Sequence, residues 1–169
     1  MTTSGAITEF SIPTPASEPY WIVRGPDGNL WFTETVGNKI GRVSPMGDFA
    51  EFPLPSPATD PAGIAVGPDG NLWFTETNGN LAGNKIGRIT PLGVISEFPL
   101  NNNYVVPFGI CSGPDGRIWL TELMGNRIDA LFTLQAVQAV PAASPVAGLV
   151  FLVALGILGA LLAGRPASQ

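Results

Sequence analysis

The first 131 residues run as short apolar stretches, each closed by a turn rich in glycine or proline. The central stretch shows the pattern most clearly. Ala62-Gly63-Ile64-Ala65-Val66 predicts a first strand. Gly67-Pro68-Asp69-Gly70 predicts a hairpin turn, because proline presets φ and the second glycine accepts the left-handed position. Leu72-Trp73-Phe74-Thr75-Glu76 predicts a second strand, with Leu and Phe on one face and Trp on the other. A strand apolar on both faces is packed on both sides. Lys85 to Thr90 predicts a third strand, Pro91-Leu92-Gly93 a turn, and Val94 to Phe98 a fourth strand.

This unit is one of three. Gly25-Pro26-Asp27-Gly28-Asn29-Leu30-Trp31-Phe32-Thr33-Glu34 recurs unchanged from Gly67 to Glu76, and with three substitutions from Gly113 to Glu122. Gly37-Asn38-Lys39-Ile40-Gly41-Arg42 recurs from Gly83 to Arg88 and, shortened, from Gly125 to Ile128. A third motif, Glu51-Phe52-Pro53-Leu54-Pro55, is echoed by Glu97-Phe98-Pro99-Leu100 and by Glu9-Phe10-Ser11-Ile12-Pro13. The offsets are 42 and 46 residues, and the difference of four is one insertion within Asn78 to Ala82. Four short strands at this period describe propeller blades. The fold expected is all-β: an incomplete β-propeller of three four-stranded blades over residues 1–135. The chain opens with an isolated outer strand, Ile7 to Ile12, and the last unit closes after three strands near Leu131. A ring typically needs four to eight blades, so three would leave apolar faces open. Two chains head to tail would supply six, which predicts a homo-oligomer that completes the ring.

The C-terminus has a different pattern. Val146 to Ala163 carries no polar side chain over 18 residues. As a helix it is ~27 Å long, close to the ~30 Å apolar core of a bilayer. A transmembrane helix is therefore expected at 145–164, after an Ala/Pro linker at 136–144 and before a polar tail at 165–169. Gly156, Ala160 and Gly164 would share one face of it. The stretch Val140 to Pro145, an apolar helix and then Arg165 resemble the C-terminal sorting signals of exported Gram-negative proteins. The protein is thus expected to be membrane-anchored, with an extracytoplasmic propeller. Met1-Thr2-Thr3-Ser4-Gly5 lacks the basic and apolar regions of a signal peptide. That argues for a start further upstream, or for insertion from the tail with a cytoplasmic propeller.

Composition narrows the function. Glycine (21) and proline (17) are in excess, which disfavours a helical protein. Charged residues make up 12% and the net charge is −5, which argues against nucleic-acid binding. Mean hydropathy is +0.27, raised mainly by the tail. The 169 residues include no histidine, so no imidazole in this chain serves as base, acid or metal ligand. The one cysteine, Cys111, lies in an apolar run and is expected to be buried.

The repeat wording GPDGNLWFTET, then GNKIGRI, then EFPLP resembles the virginiamycin B lyase (streptogramin lyase) family, a branch of the seven-bladed propellers near the NHL-repeat proteins. The resemblance spans residues 7 to about 131, about three blades of seven. It implies a carbon–oxygen lyase that opens a cyclic depsipeptide antibiotic by elimination at its ester, with Mg²⁺ and a histidine base. A base would take the proton α to a carbonyl while the cation steadies the enolate charge. After the shared strand-two glutamate this chain has Thr35-Val36, Thr77-Asn78 and Leu123-Met124, none of which is a base at neutral pH.

Glu34, Glu76 and Glu122 occupy equivalent places in successive blades. Carboxylates converging on one axis would suit Mg²⁺ or Ca²⁺. The competing reading is that they close hairpins, or pair with Lys39, Lys85, Arg42 and Arg88, since a residue present in every blade is more often structural. Asp27, Asp69 and Asp115 read as turn formers, and Trp31, Trp73 and Trp119 as blade-packing residues. Tyr20-Trp21 breaks the first-strand pattern of Gly63-Ile64 and Gly109-Ile110. It falls at the blade rim or channel and is the candidate contact for a small-molecule or peptide ligand.

Three functions are expected from this sequence: a membrane-anchored, non-catalytic propeller module; a lyase-family enzyme completed by another chain; and a truncated gene product with no function of its own.

Overall fold

The computed structural model describes residue 5 and residues 7–78, 84–100 and 106–133. The expected linker, membrane helix and polar tail lie outside them. Among the described residues no helix is long and apolar enough to cross a membrane.

Among the described residues, eleven strands form three antiparallel sheets in chain order. The first sheet holds β1 (Pro19–Arg24), β2 (Leu30–Glu34), β3 (Lys39–Val43) and β4 (Phe49–Pro53). The second holds β5 (Pro61–Val66), β6 (Leu72–Glu76), β7 (Lys85–Ile89) and β8 (Ile95–Pro99). The third has only β9 (Pro107–Ser112), β10 (Arg117–Glu122) and β11 (Arg127–Phe132). Among the described residues the blades are thus four-, four- and three-stranded, the last closing after three strands as its sequence predicts.

The first hairpin of each blade turns as its sequence dictates. Gly28, Gly70 and Gly116 take φ of +82°, +74° and +73°, the left-handed conformation that glycine adopts without steric cost. The aspartate before each glycine does more than turn the chain. Asp69 Oδ1 accepts hydrogen bonds from Asn71 N (3.2 Å) and from the indole of Trp73 (3.0 Å). Asp27 and Asp115 hold Trp31 and Trp119 in the same way. Burial alone would raise the Asp69 pKa; the bonds from Asn71 and Trp73 outweigh it and hold the carboxyl below its usual value.

Blades stack through two different faces. Trp31, Ile40 and Leu54 of the first blade pack on Ile64, Leu72, Phe74 and Ile89 of the second. On the far side of the second blade, Trp73 and Ile86 pack on Ile118 and Leu120 of the third. A tryptophan face therefore meets the opposite face of the next second strand, Leu72 and Phe74 at one joint and Ile118 and Leu120 at the other, as the two-faced second strand predicts. A fully buried side chain such as Phe74 contributes roughly 1.5–3 kcal/mol.

The backbone is joined as well. Each first strand carries a register irregularity beside its second-strand partner. Threonines from the second strand occupy these places. Thr33 Oγ1 accepts from Trp21 N (3.1 Å) and donates to Ala62 O of the next blade (2.8 Å). Thr75 Oγ1 accepts from Gly63 N (2.9 Å) and donates to Phe108 O (2.8 Å). Thr121 accepts from Gly109 N (2.9 Å).

Two expectations are corrected. Residues 7–12 form no strand, because no ladder partner lies beside them among the described residues. Cys111 is exposed rather than buried. It pairs with Trp119 at the outer face of the third blade, which no further blade covers among the described residues.

Candidate functional site

The first strands β1, β5 and β9 are neighbours, and Tyr20 and Trp21 stand on β1 with half of their surface exposed (55% and 51%). The Tyr20 ring meets the edge of Phe108 with centroids 5.7 Å apart. Gly63 makes this approach possible, since a Cβ there would sit 2.5 Å from the Phe108 carbonyl oxygen. Tyr20 and Trp21 line two recesses. One is a small cleft over Gly63, Phe108, Gly109 and Ile110. The other is a groove of about 340 Å³ on the outer face of the first blade, floored by Ile22, Leu30, Phe32 and Val43. The pair forms an aromatic ledge between the first strands and the groove. Such a ledge offers flat apolar contact with a phenol hydroxyl and an indole N–H at its margins.

The three glutamates are placed differently. Glu34 and Glu76 have no accessible surface. The lysines opposite them are engaged elsewhere. Lys39 pairs with Glu51 (2.8 Å) and also reaches Thr14, while Lys85 pairs with Glu97 (2.9 Å) and also reaches Ser56. The arginines are engaged as well: Arg42 stacks on Trp31 and Phe52, and Arg88 on Trp73 and Phe98. Neither oxygen of Glu34 or Glu76 reaches a partner at hydrogen-bonding geometry. Burial therefore dominates. It pushes Glu76 up to about 7, helped by repulsion from Glu97 and opposed by Lys85 and the nearby Thr59 hydroxyl. Glu34 is raised for the same reason, with Glu51 repelling and Ser17 and Lys39 opposing.

Glu122 is the exception. Among the described residues the third blade has no fourth strand to take its cation, and Arg127 pairs directly with Glu122 at 2.7 Å. Burial still raises the Glu122 carboxyl against that pairing, and Asp129 adds to the rise. Pairing with Lys39, Lys85, Arg42 or Arg88 is thus not what holds these glutamates. The fourth-strand glutamates Glu51 and Glu97 hold the lysines instead, a role signalled by the constant spacing between the two motifs but not read from it.

Among the described residues, no three acidic or thiol side chains gather where a metal ion could be held. Each of Glu34, Glu76 and Glu122 belongs to its own blade, and the described residues do not assemble a donor set for Mg²⁺.

The comparisons with known proteins agree with the blade geometry. Residues 1–158 match the virginiamycin B lyase family. The chain belongs to this family. The virginiamycin B lyases of Bacillus licheniformis and Bordetella pertussis are each 48% identical to it over 42 residues, 25% of this chain and 14% of theirs. The crystal structure of selenomethionine-substituted virginiamycin B lyase from Staphylococcus aureus is 42% identical, with a TM-score of 0.73 over 78% of this chain and 44% of that one. A catalytically inactive histidine-to-alanine variant of the S. aureus lyase, solved with quinupristin, is 41% identical with a TM-score of 0.73, covering 80% and 45%. The chain thus spans less than half the length of the solved virginiamycin B lyases it resembles, about the share that three blades of seven make.

Proposed function

We propose that this chain is a membrane-anchored, non-catalytic binding module of the virginiamycin B lyase family. It takes a cyclic depsipeptide or similar peptide ligand on the Tyr20–Trp21 ledge. The observation that carries this reading is the absence of histidine from all 169 residues, set beside a relative that a histidine-to-alanine change leaves inactive and that is nevertheless seen with quinupristin. Losing an imidazole removes a base for α-proton abstraction without removing the aromatic and backbone surfaces that hold a ring. The buried glutamates do not replace the base. Glu76 has a pKa suited to proton transfer at neutral pH, but it exposes no surface to a substrate. The anchoring rests on the uninterrupted apolar run from Val146 to Ala163, long enough to span a bilayer, with the propeller on the extracytoplasmic side.

The test is titration of the purified full chain with quinupristin, followed by intrinsic tryptophan fluorescence and by mass spectrometry. Saturable quenching is expected, with the mass of the depsipeptide unchanged. Trp21→Ala should weaken binding about tenfold, as loss of an aromatic anchor does. A ring-opened product, or binding indifferent to Trp21→Ala, would refute the reading. Carbonate washing of cell membranes tests the anchor: the chain should remain in the pellet, and protease added from outside should remove the propeller.

A further inference from the structure

The segment from Phe10 to Thr14 forms no ladder, yet it is docked on the first blade in one particular way. Phe10 lies against Gly47, as Phe52 of β4 lies against Gly93 of the next blade. Thr14 N and Oγ1 donate to Glu51, as Ser56 N and Oγ donate to Glu97. Lys39 reaches Thr14, as Lys85 reaches Ser56. The segment therefore stands where a fourth strand stands relative to the blade that follows it, with no ladder partner among the described residues. Phe10 is 52% exposed. At the opposite side of the unit, β11 has no strand on its outer edge among the described residues. Ile128 there is 66% exposed.

We infer that residues 7–11 of one copy pair with β11 of a second copy as the missing fourth strand. The two faces so joined are the same two that meet inside the chain. Trp119 and Ile128 of one copy correspond to Trp31 and Ile40, and in the second copy they meet Ile22, Leu30, Phe32 and Val43, which floor the open groove. The register follows from the two complete blades, where Ile40 faces Phe52 and Ile86 faces Phe98. Ile128 then faces Phe10, and Arg127 faces Ser11. Phe10 stacks on Trp119 as Phe52 stacks on Trp31 at 5.4 Å and Phe98 on Trp73 at 5.7 Å. The Thr121 hydroxyl, which already accepts from Gly109 N, donates to the Tyr20 carbonyl of the second copy. That repeats the bonds from Thr33 to Ala62 and from Thr75 to Phe108. The joint is heterologous, and two of them close a two-fold ring of six blades. One element opposes it. The register sets Glu9 opposite Asp129, where the other blades set a glutamate opposite Gly41 and Gly87, and facing like charges weaken a strand pair.

This inference does not rest on the ligand reading. Sedimentation equilibrium of the full chain in density-matched detergent tests it. The wild type should have the mass of two copies. Phe10→Asp spoils the donated segment and Ile128→Asp the accepting edge, so each variant alone should be monomeric. Both side chains are exposed, and circular dichroism should show each variant folded. A mixture of the two variants retains one intact segment and one intact edge, and should recover a mixed dimer. Asp129→Gly should tighten the association. A monomeric wild type overturns the inference. So does a dimer that survives Phe10→Asp and Ile128→Asp unchanged, which would place the contact elsewhere, for instance in the apolar tail.

Discussion

Gly87 lies directly under the ring of Phe74, its partner across β6 and β7, so closely that a Cβ there would overlap the ring. Phe74 has no accessible surface and therefore nowhere to move. Gly87→Ala should destabilise the protein by roughly 1–3 kcal/mol, the cost of overpacking a filled core. The third blade shows the remedy: Leu120 faces Asp129 at the equivalent place, a smaller side chain opposite a residue that has a Cβ. Phe74→Leu added to Gly87→Ala should recover part of the loss. Urea denaturation of the two single variants and the double variant measures the coupling, and strictly additive losses would contradict it.

Asp69 should matter through Trp73 rather than through the turn alone. Asp69→Ala leaves the buried indole N–H without an acceptor, a loss of about 1–3 kcal/mol. Asp69→Asn keeps one oxygen and should cost less. Equal losses in thermal unfolding of the two variants would show that the indole bond contributes nothing.

Glu76 should make stability depend on pH in an unusual direction. Its folded pKa of about 7 lies above the ordinary 4.5. The folded state therefore binds the proton more tightly than the unfolded one. Its favourable contribution is complete below about 4.5 and is lost as pH rises through 7. The shift corresponds to roughly 3 kcal/mol. Asp69, Glu51 and Glu97 are lowered instead, and their contributions are lost as pH falls into the range of their folded values. Stability should peak in the mildly acidic range. Glu76→Gln should flatten the slope above the peak and make the protein more stable than wild type at pH 8. A variant that keeps the wild-type slope from pH 5 to 8 would remove Glu76 as its source.

Thr75 should be sensitive to its hydroxyl rather than to its shape. Thr75→Val leaves Gly63 N and Phe108 O without their bonds, at a cost of about 1–3 kcal/mol. Thr75→Ser retains the hydroxyl and should stay within about 1 kcal/mol of wild type. Chemical denaturation of both variants decides the matter, and a larger loss for Thr75→Ser than for Thr75→Val would assign the effect to the methyl group.

The strands were legible because the repeat shows each element three times. Leu72-Trp73-Phe74 announces a strand packed on both faces, and Gly70 announces its turn. Trp21 stands out from the repeat because the equivalent places hold Gly63 and Gly109, whereas Tyr20 is matched by Ala62 and Phe108. The glutamates were less legible. Their burial depends on which cation reaches them, and that is decided by β4 and β8 lying beside β3 and β7, a spatial fact that no local pattern states. Cys111 misled for a similar reason. Its apolar neighbours predict a core position, but exposure at that place depends on whether another blade stacks on Trp119.

The bond from Thr75 ends on a carbonyl oxygen of the main chain. An acceptor of that kind is present in every residue, whatever its side chain. The joint between blades therefore makes few demands on the sequence of its neighbour, and a duplicated unit would be compatible with the existing one from the moment it arose. An assembly grown in this way can lengthen or shorten by whole units without redesign. Its final size is then set by the angle between units and by what caps the ends, rather than by any single joint.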